Sequence, residues 1–395
     1  MLIQEPAQPA LKFALLNLGF RPFFLLAGVY ALVTILVWCG VYVYGWPAPK
    51  LPFTTMHWHA HEMIFGYGMA VAAGFLLTAV RNWTHIDTLH GYPLAGLAVL
   101  WLAARVACWL MPAQILPMAL PDLVFDLWLM FAIISPILSA KQHQQIGIAS
   151  KLVLLMLANL CFYLGVSGVL EHGIVWGLHS GLYVLLALVF SMARRVLPFF
   201  IEQGAGYPVK LKNRVWIDRS GIYVFVLFMI ADVFWQNVPV TAALAGLLFA
   251  IHAMRLAGWY TRGIWKKPLL WVLYTGYAGA TFGFLLKALA PFMSLQPSLA
   301  LHAFALGGIG MITAGMMARI SLAHTGRNLE QHRLSPIFIS LFASYVARVL
   351  LPIMAPSHYL LWVGLAQALW LIAFALFVRV YVPILVKSRV DGMPG

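Results

Sequence analysis

Charge is what this sequence has least of. Only 9% of its 395 residues are charged, and just 11 of them are acidic. A soluble domain carries about a quarter charged residues, so a water-surrounded globule is excluded. Alternation of apolar and polar residues at strand period is also missing, which excludes a membrane β-barrel. Cysteine is scarce: Cys39, Cys108 and Cys161 each lie inside an apolar run. None sits in C-x-x-C or C-x-x-C-H, so neither a redox dithiol nor covalent haem attachment is supported. They read as buried apolar thiols. No cleavable signal peptide is expected, because residues 1–19 are mixed and the first apolar run is too long for an h-region.

What the sequence has instead is apolar length. Hydrophobic residues make up 63% of it. Runs of about 20 apolar residues, the length that crosses a bilayer, predict twelve spans near 20–44, 60–80, 91–111, 119–140, 150–170, 174–196, 217–236, 240–262, 268–290, 298–320, 335–354 and 358–386. The expected class is all-α: a polytopic membrane protein whose backbone polar groups are paired within helices. The connections are short, the longest being the central inner loop at 197–216, so residues 1–395 read as a single membrane domain. Placing the N-terminus inside leaves only Lys50, Arg105, Lys287 and Arg348 of the 25 Lys and Arg on the outer side. Cytoplasmic loops are enriched in both residues, which predicts N-in, C-in. The net charge of +14 is then mostly topology facing anionic membrane lipid, and no nucleic-acid partner is expected.

The chemistry concentrates in "TTMHWHAHEMIFGYG", residues 54–68. His57, His59 and His61 alternate at the mouth of span two, and Glu62 follows. At about 100° per helical residue, His57 and His61 share a face and His59 points almost the opposite way. A helix starting at His57 offers ligands to two sites, or one ligand plus an orienting donor. A helix starting at His61 leaves the other two on a wetted, extended approach. His179 on span six and His302 on span ten lie at similar depth, roughly 8–9 Å below the outer end at 1.5 Å per residue. Spans two, six and ten all run from outside to inside, so these histidines converge if the helices are neighbours. One buried imidazole is usually a hydrogen-bonded packing residue. Several at one level point to metal or haem ligation.

Three further features surround them. Gly66 and Gly74 follow His61 by five and thirteen residues, and Gly307 and Gly315 follow His302 by the same offsets. Such small residues admit either a flat macrocycle or a close neighbouring helix. Arg105 and Arg348, near the outer ends of spans three and eleven, need anionic partners. Haem propionates are one candidate; Asp122 and Asp126 on span four are another. Glu62, Glu171 and Asp232 are outer-side carboxylates able to carry protons, with Glu62 first by adjacency.

Three segments carry a resemblance: "GFRPFFLLAG" at 19–28, "WHAHEMIFGYGMAVAAGFLLTAV" at 58–80 and "LHAFALGGIGMITAGMMARISLAHTGR" at 301–327. They resemble the signature segments of the NnrS family, and the similarity extends over the chain. The resemblance implies a multi-pass protein of the bacterial inner membrane in the nitric oxide response, tied to denitrification or nitrosative-stress defence and containing haem and copper. On that footing His61 and His302 are the preferred axial ligands of a non-covalent, b-type haem. His57, His59 and His179 are candidates for copper or a second haem, Arg105 and Arg348 for the propionates, and Glu62 for proton delivery. Haem–copper oxidases are a weaker architectural analogy, since the adjacent His-His pair they carry on span seven is absent here. Nitric oxide binding or turnover is the expected activity. The alternatives are a secondary transporter of a metal or iron–nitrosyl species and a non-catalytic redox subunit.

Overall fold

The computed structural model describes residues 13–48, 50–293, 295–329 and 334–393. Lys12 and Arg333, counted among the Lys and Arg that set the expected orientation, lie outside the described residues. Among the described residues there is no strand, and the chain is an all-α polytopic protein. Among the described residues, eleven helices are long and apolar enough to cross a membrane: α1 (Phe20–Tyr44), α2 (Thr55–Thr84), α3 (Gly91–Leu110), α4 (Leu116–Ser139), α5 (His143–Val166), α6 (Gly173–Gly204), α8 (Val238–Trp259), α9 (Pro268–Leu289), α10 (Pro297–Ala323), α11 (Ser335–Met354) and α12 (Pro356–Val386). The remaining expected span, α7 (215–235), is helical too. Its α-helical part covers only the 15 residues Val215–Met229 and includes Asp218 and Arg219.

Local chemistry explains the ends. Thr54 caps α2, its side chain accepting the His57 N–H at 3.2 Å, so the helix begins before all three alternating histidines. Asn237 caps α8 in the same way. The central inner loop is shorter than expected, because α6 continues through Pro198 to Gly204. Leu197 and Ile201, four residues apart, are both buried, and that apolar stripe carries the helix past Arg194 and Arg195.

The chain folds as two compact units. The first comprises Met1–Leu178, Met317–Gln331 and Phe374–Gly395; the second comprises His179–Met316 and His332–Ala373. In the first, α2 packs on α1 where Gly74 meets Phe23 and Phe24. In the second, α9 and α10 meet through glycine: a Cβ on Gly307 would lie 2.8 Å from the Tyr345 ring and 3.1 Å from Gly279 Cα. Gly308 is filled by Ala280 and Leu186, Gly310 by Trp370 and Gly315 by Val272 and Leu273. The glycines of α10 thus serve helix–helix packing.

Four stretches of π-helix interrupt these helices among the described residues: Glu62–Gly68 in α2, Ile230–Trp235 in α7, Ala303–Met311 in α10 and Val346–Leu350 in α11. A π turn takes in one extra residue, loosens the backbone ladder and occurs often at functional sites. Each one here adjoins or contains a residue of chemical interest: His61 and Glu62, Asp232, His302, and Arg348.

In the first unit, directly after α10, "HTGR" (324–327) forms a turn that holds the C-terminal segment. Val390 N–H donates to Thr325 O at 3.2 Å, and Arg389 donates to His324 O at 3.0 Å while pairing with Asp391 at 2.6 Å. Gly326 has φ +71°, and a Cβ there would lie 2.6 Å from an Asp391 oxygen, so both the turn and the close approach demand glycine. Hydrogen bonds from Arg389 hold the Asp391 carboxyl down at about 2. Burial, followed by the cations Arg389, Arg21 and Arg81, holds His324 below its ordinary value.

Candidate functional site

The first unit contains a buried network of ionisable side chains drawn from five helices. Arg105 on α3 is at its centre. Its Nε lies 3.1 Å from Glu62 Oε2, and its Nη2 lies 2.6 Å from Asp122 Oδ1 on α4. Tyr30 on α1 donates its hydroxyl to Glu62 Oε2. On α5, Tyr163 donates to Asp122 Oδ2 at 3.0 Å. The Asn159 amide nitrogen reaches Asp122 at 3.2 Å and Asp126 at 2.9 Å. Glu62 is 4% exposed, Arg105 3%, Asp122 1%, Asp126 3% and Asn159 0%. Arg105 therefore spends its charge on two protein carboxylates, the pairing that the spacing of span four allowed for.

His61 belongs to this network with both ring nitrogens. Nδ1 is 3.0 Å from Glu62 Oε1, and Nε2 is 3.1 Å from Asn159 Oδ1 and 3.6 Å from Asp122 Oδ2. The Asn159 amide is oriented by its two carboxylate neighbours, which need its NH₂. Its oxygen is thus an acceptor, as is the Glu62 carboxylate. A ring between two acceptors has a place for a proton on each nitrogen. Phe162 packs on it with ring centroids 4.4 Å apart, and Phe65 and Tyr163 flank it at 5.1 and 5.4 Å.

The second unit holds a different constellation around α10 and α11. His302 Nδ1 is 2.8 Å from the Ser298 carbonyl oxygen. A carbonyl only accepts, so in the neutral ring Nδ1 bears the proton and Nε2 the lone pair. Ser298 Oγ is 3.2 Å from Tyr359 Oη, and the Arg348 guanidinium stands 5.4 Å from the Tyr359 ring centroid. Arg348 is buried and His302 half-buried. Elsewhere in this unit Asp232 pairs with Lys287 at 2.8 Å and accepts from Tyr183 at 2.6 Å.

The other expected ligands are spread out. His57 and His59 occupy the first turns of α2, both half-buried, and the His59 ring stacks on Trp38 at 4.7 Å. His179 is half-buried on α6, while His358 and Glu171 are exposed. Among the described residues no three His, Cys, Asp or Glu side chains form a group that could hold a metal ion.

The family model for NnrS protein matches residues 14–389. The chain belongs to the NnrS family. At the family level this makes it a multi-pass membrane protein of the nitric oxide response. No curated protein matches it. Haem, which the NnrS resemblance implies, needs an imidazole nitrogen with a lone pair and space beside it for a flat ring. His302 meets the first need through its Ser298 bond. His61 meets neither, since both nitrogens are engaged and aromatic rings enclose it.

Sequence reasoning singled out His61, Glu62, Arg105, Asp122 and Asp126 but missed Tyr30, Asn159 and Tyr163. Asn159 left a signal, an amide in the middle of an apolar run. The two tyrosines left none, because interfacial and packing tyrosines are common in spans.

Proposed function

We propose that this NnrS-family protein sits in the bacterial inner membrane and binds haem, with nitric oxide as the ligand of the iron. The supporting observation is His302: its Nδ1–H is tied to the Ser298 carbonyl, which orients the ring and puts the lone pair of the neutral imidazole on Nε2. Haem would supply an iron centre that takes nitric oxide directly. The chain's own part is to orient the His302 ring from Ser298 and to offer the Arg348 guanidinium to an anionic propionate. We assign copper to no group, because among the described residues no three His, Cys, Asp or Glu side chains form a group that could hold a metal ion. The His61 network is read as a structural and proton-handling element.

The test is an optical spectrum of purified protein, oxidised and dithionite-reduced, with and without nitric oxide, on wild type, His302→Ala and His61→Ala. Haem bands that respond to nitric oxide in wild type, disappear in His302→Ala and persist in folded His61→Ala are expected. A featureless spectrum from folded wild type, made with adequate haem supply, would reject the reading. A secondary transporter of a metal or iron–nitrosyl species is the second reading, favoured by helices interrupted at the buried charges Glu62 and Arg348. Uptake by proteoliposomes would put it first.

A further inference from the structure

We propose that the network around Asn159 is a proton-binding site in the membrane interior, and that the proton resides on Asp126. Glu62, Asp122 and Asp126 bring three carboxyl groups into one buried cluster. Arg105 brings one fixed positive charge. His61 can bring a second, because both its nitrogens face acceptors and so have places for two protons. Tyr30 and Tyr163 donate hydrogen bonds and add no charge. Two cations against three carboxylates leave one negative charge unbalanced where burial makes it costly. A single additional proton removes it. Writing His61 as neutral only moves that proton: the cluster still needs two dissociable protons in all.

The donors select the carboxyl group. Glu62 receives hydrogen bonds or ion pairs from Arg105, His61 and Tyr30. Asp122 receives them from Arg105, Tyr163 and Asn159. Such donor sets hold a carboxylate ionised. Asp126 accepts only the Asn159 amide, at Oδ2, and its buried Oδ1 has no hydrogen-bond partner. The proton belongs on Asp126 Oδ1. A group that takes up and releases one proton at this depth is what a proton-consuming or proton-coupled membrane activity requires. The inference does not depend on haem.

Infrared spectroscopy of the purified full-length protein in H₂O and D₂O tests it. The expected wild-type spectrum at neutral pH contains a protonated-carboxyl C=O band that shifts down in D₂O. Asp126→Asn should lose that band and keep wild-type thermal stability, since an amide is the neutral isostere of the protonated acid. Asp122→Asn should also lose it, because removing one carboxylate lets Asp126 ionise. A wild type without the band, a band surviving in Asp126→Asn, or an Asp126→Asn protein that does not fold would each overturn the proposal. So would stability that rises with sodium at fixed ionic strength in wild type but not in Asp126→Asn, which would make sodium the balancing charge.

Discussion

Arg105 shows how much one side chain decides in a membrane interior. It faces Glu62 and Asp122 from a site 3% exposed to solvent. Replacing it with leucine strands two carboxylates, and breaking a buried pair in this way costs about 3–5 kcal/mol. Arg105→Leu is expected to unfold at lower temperature or to elute as aggregate. Arg105→Lys should fall between, because a lysine keeps the charge and loses the fork; a leucine variant as stable as wild type would refute the role. Just past the end of α10, His324 sets a pH dependence. Its folded value lies below the ordinary 6.5, so the unfolded chain binds the proton first. Stability is full above about 6.5, declines as pH falls from there to the lowered folded value, and this contribution is gone below it. Thermal melts between pH 8 and 5 should show that slope, and His324→Leu should flatten it. Asp391 acts at a lower pH, contributing above its ordinary 3.8 and losing that contribution as pH falls through about 2.

At the scale of helices, glycine and the π turn place the chemistry. The π segment of α10 begins directly after His302, and its Gly307 lies against Gly279 of α9. The Gly279 backbone on one side and the Tyr345 ring on the other leave a side chain nowhere to go. Gly307→Val should overpack the contact at a cost of about 1–3 kcal/mol or more, read as a lower unfolding temperature. Gly246 on α8 is the control: a Cβ there meets only Ala288, at 3.8 Å. Gly246→Ala should be neutral or stabilising by up to about 1 kcal/mol, the helix-propensity difference. Equal effects at the two sites would refute the packing account. The π segments themselves were not legible in the sequence, because they depend on neighbours that hold a widened turn in place.

For the whole molecule the open quantity is topology, and it rests on α7. Its two acidic residues are matched by partners: Asp218 by Arg194 at 2.7 Å and Arg255 at 2.8 Å, and Asp232 by Lys287 at 2.8 Å. Pairing lowers the cost of placing them in a bilayer. We therefore expect α7 to span, making twelve crossings with both ends inside. In a background lacking Cys39, Cys108 and Cys161, Gln236→Cys should react with an impermeant thiol reagent from outside. A reporter active only outside should stay silent at the C-terminus. An unreactive Gln236→Cys with an active C-terminal reporter would remove α7 from the set of spans.

The sequence by itself determined the class, the positions of the apolar helices and the family, because each is written in local runs and contiguous segments. Lipid enforces this: a spanning segment must satisfy its own backbone, so helix formation is decided within about twenty residues. The sequence also marked His61, Glu62, Arg105 and the Asp122–Asp126 pair, since ionisable groups stand out against apolar neighbours. Only the tertiary structure decided what they do. Whether Arg105 meets Asp122 or a cofactor, and whether an imidazole nitrogen meets Asn159 or stays a donor, depends on which helices are neighbours. That choice is made by packing between helices, which no local pattern records.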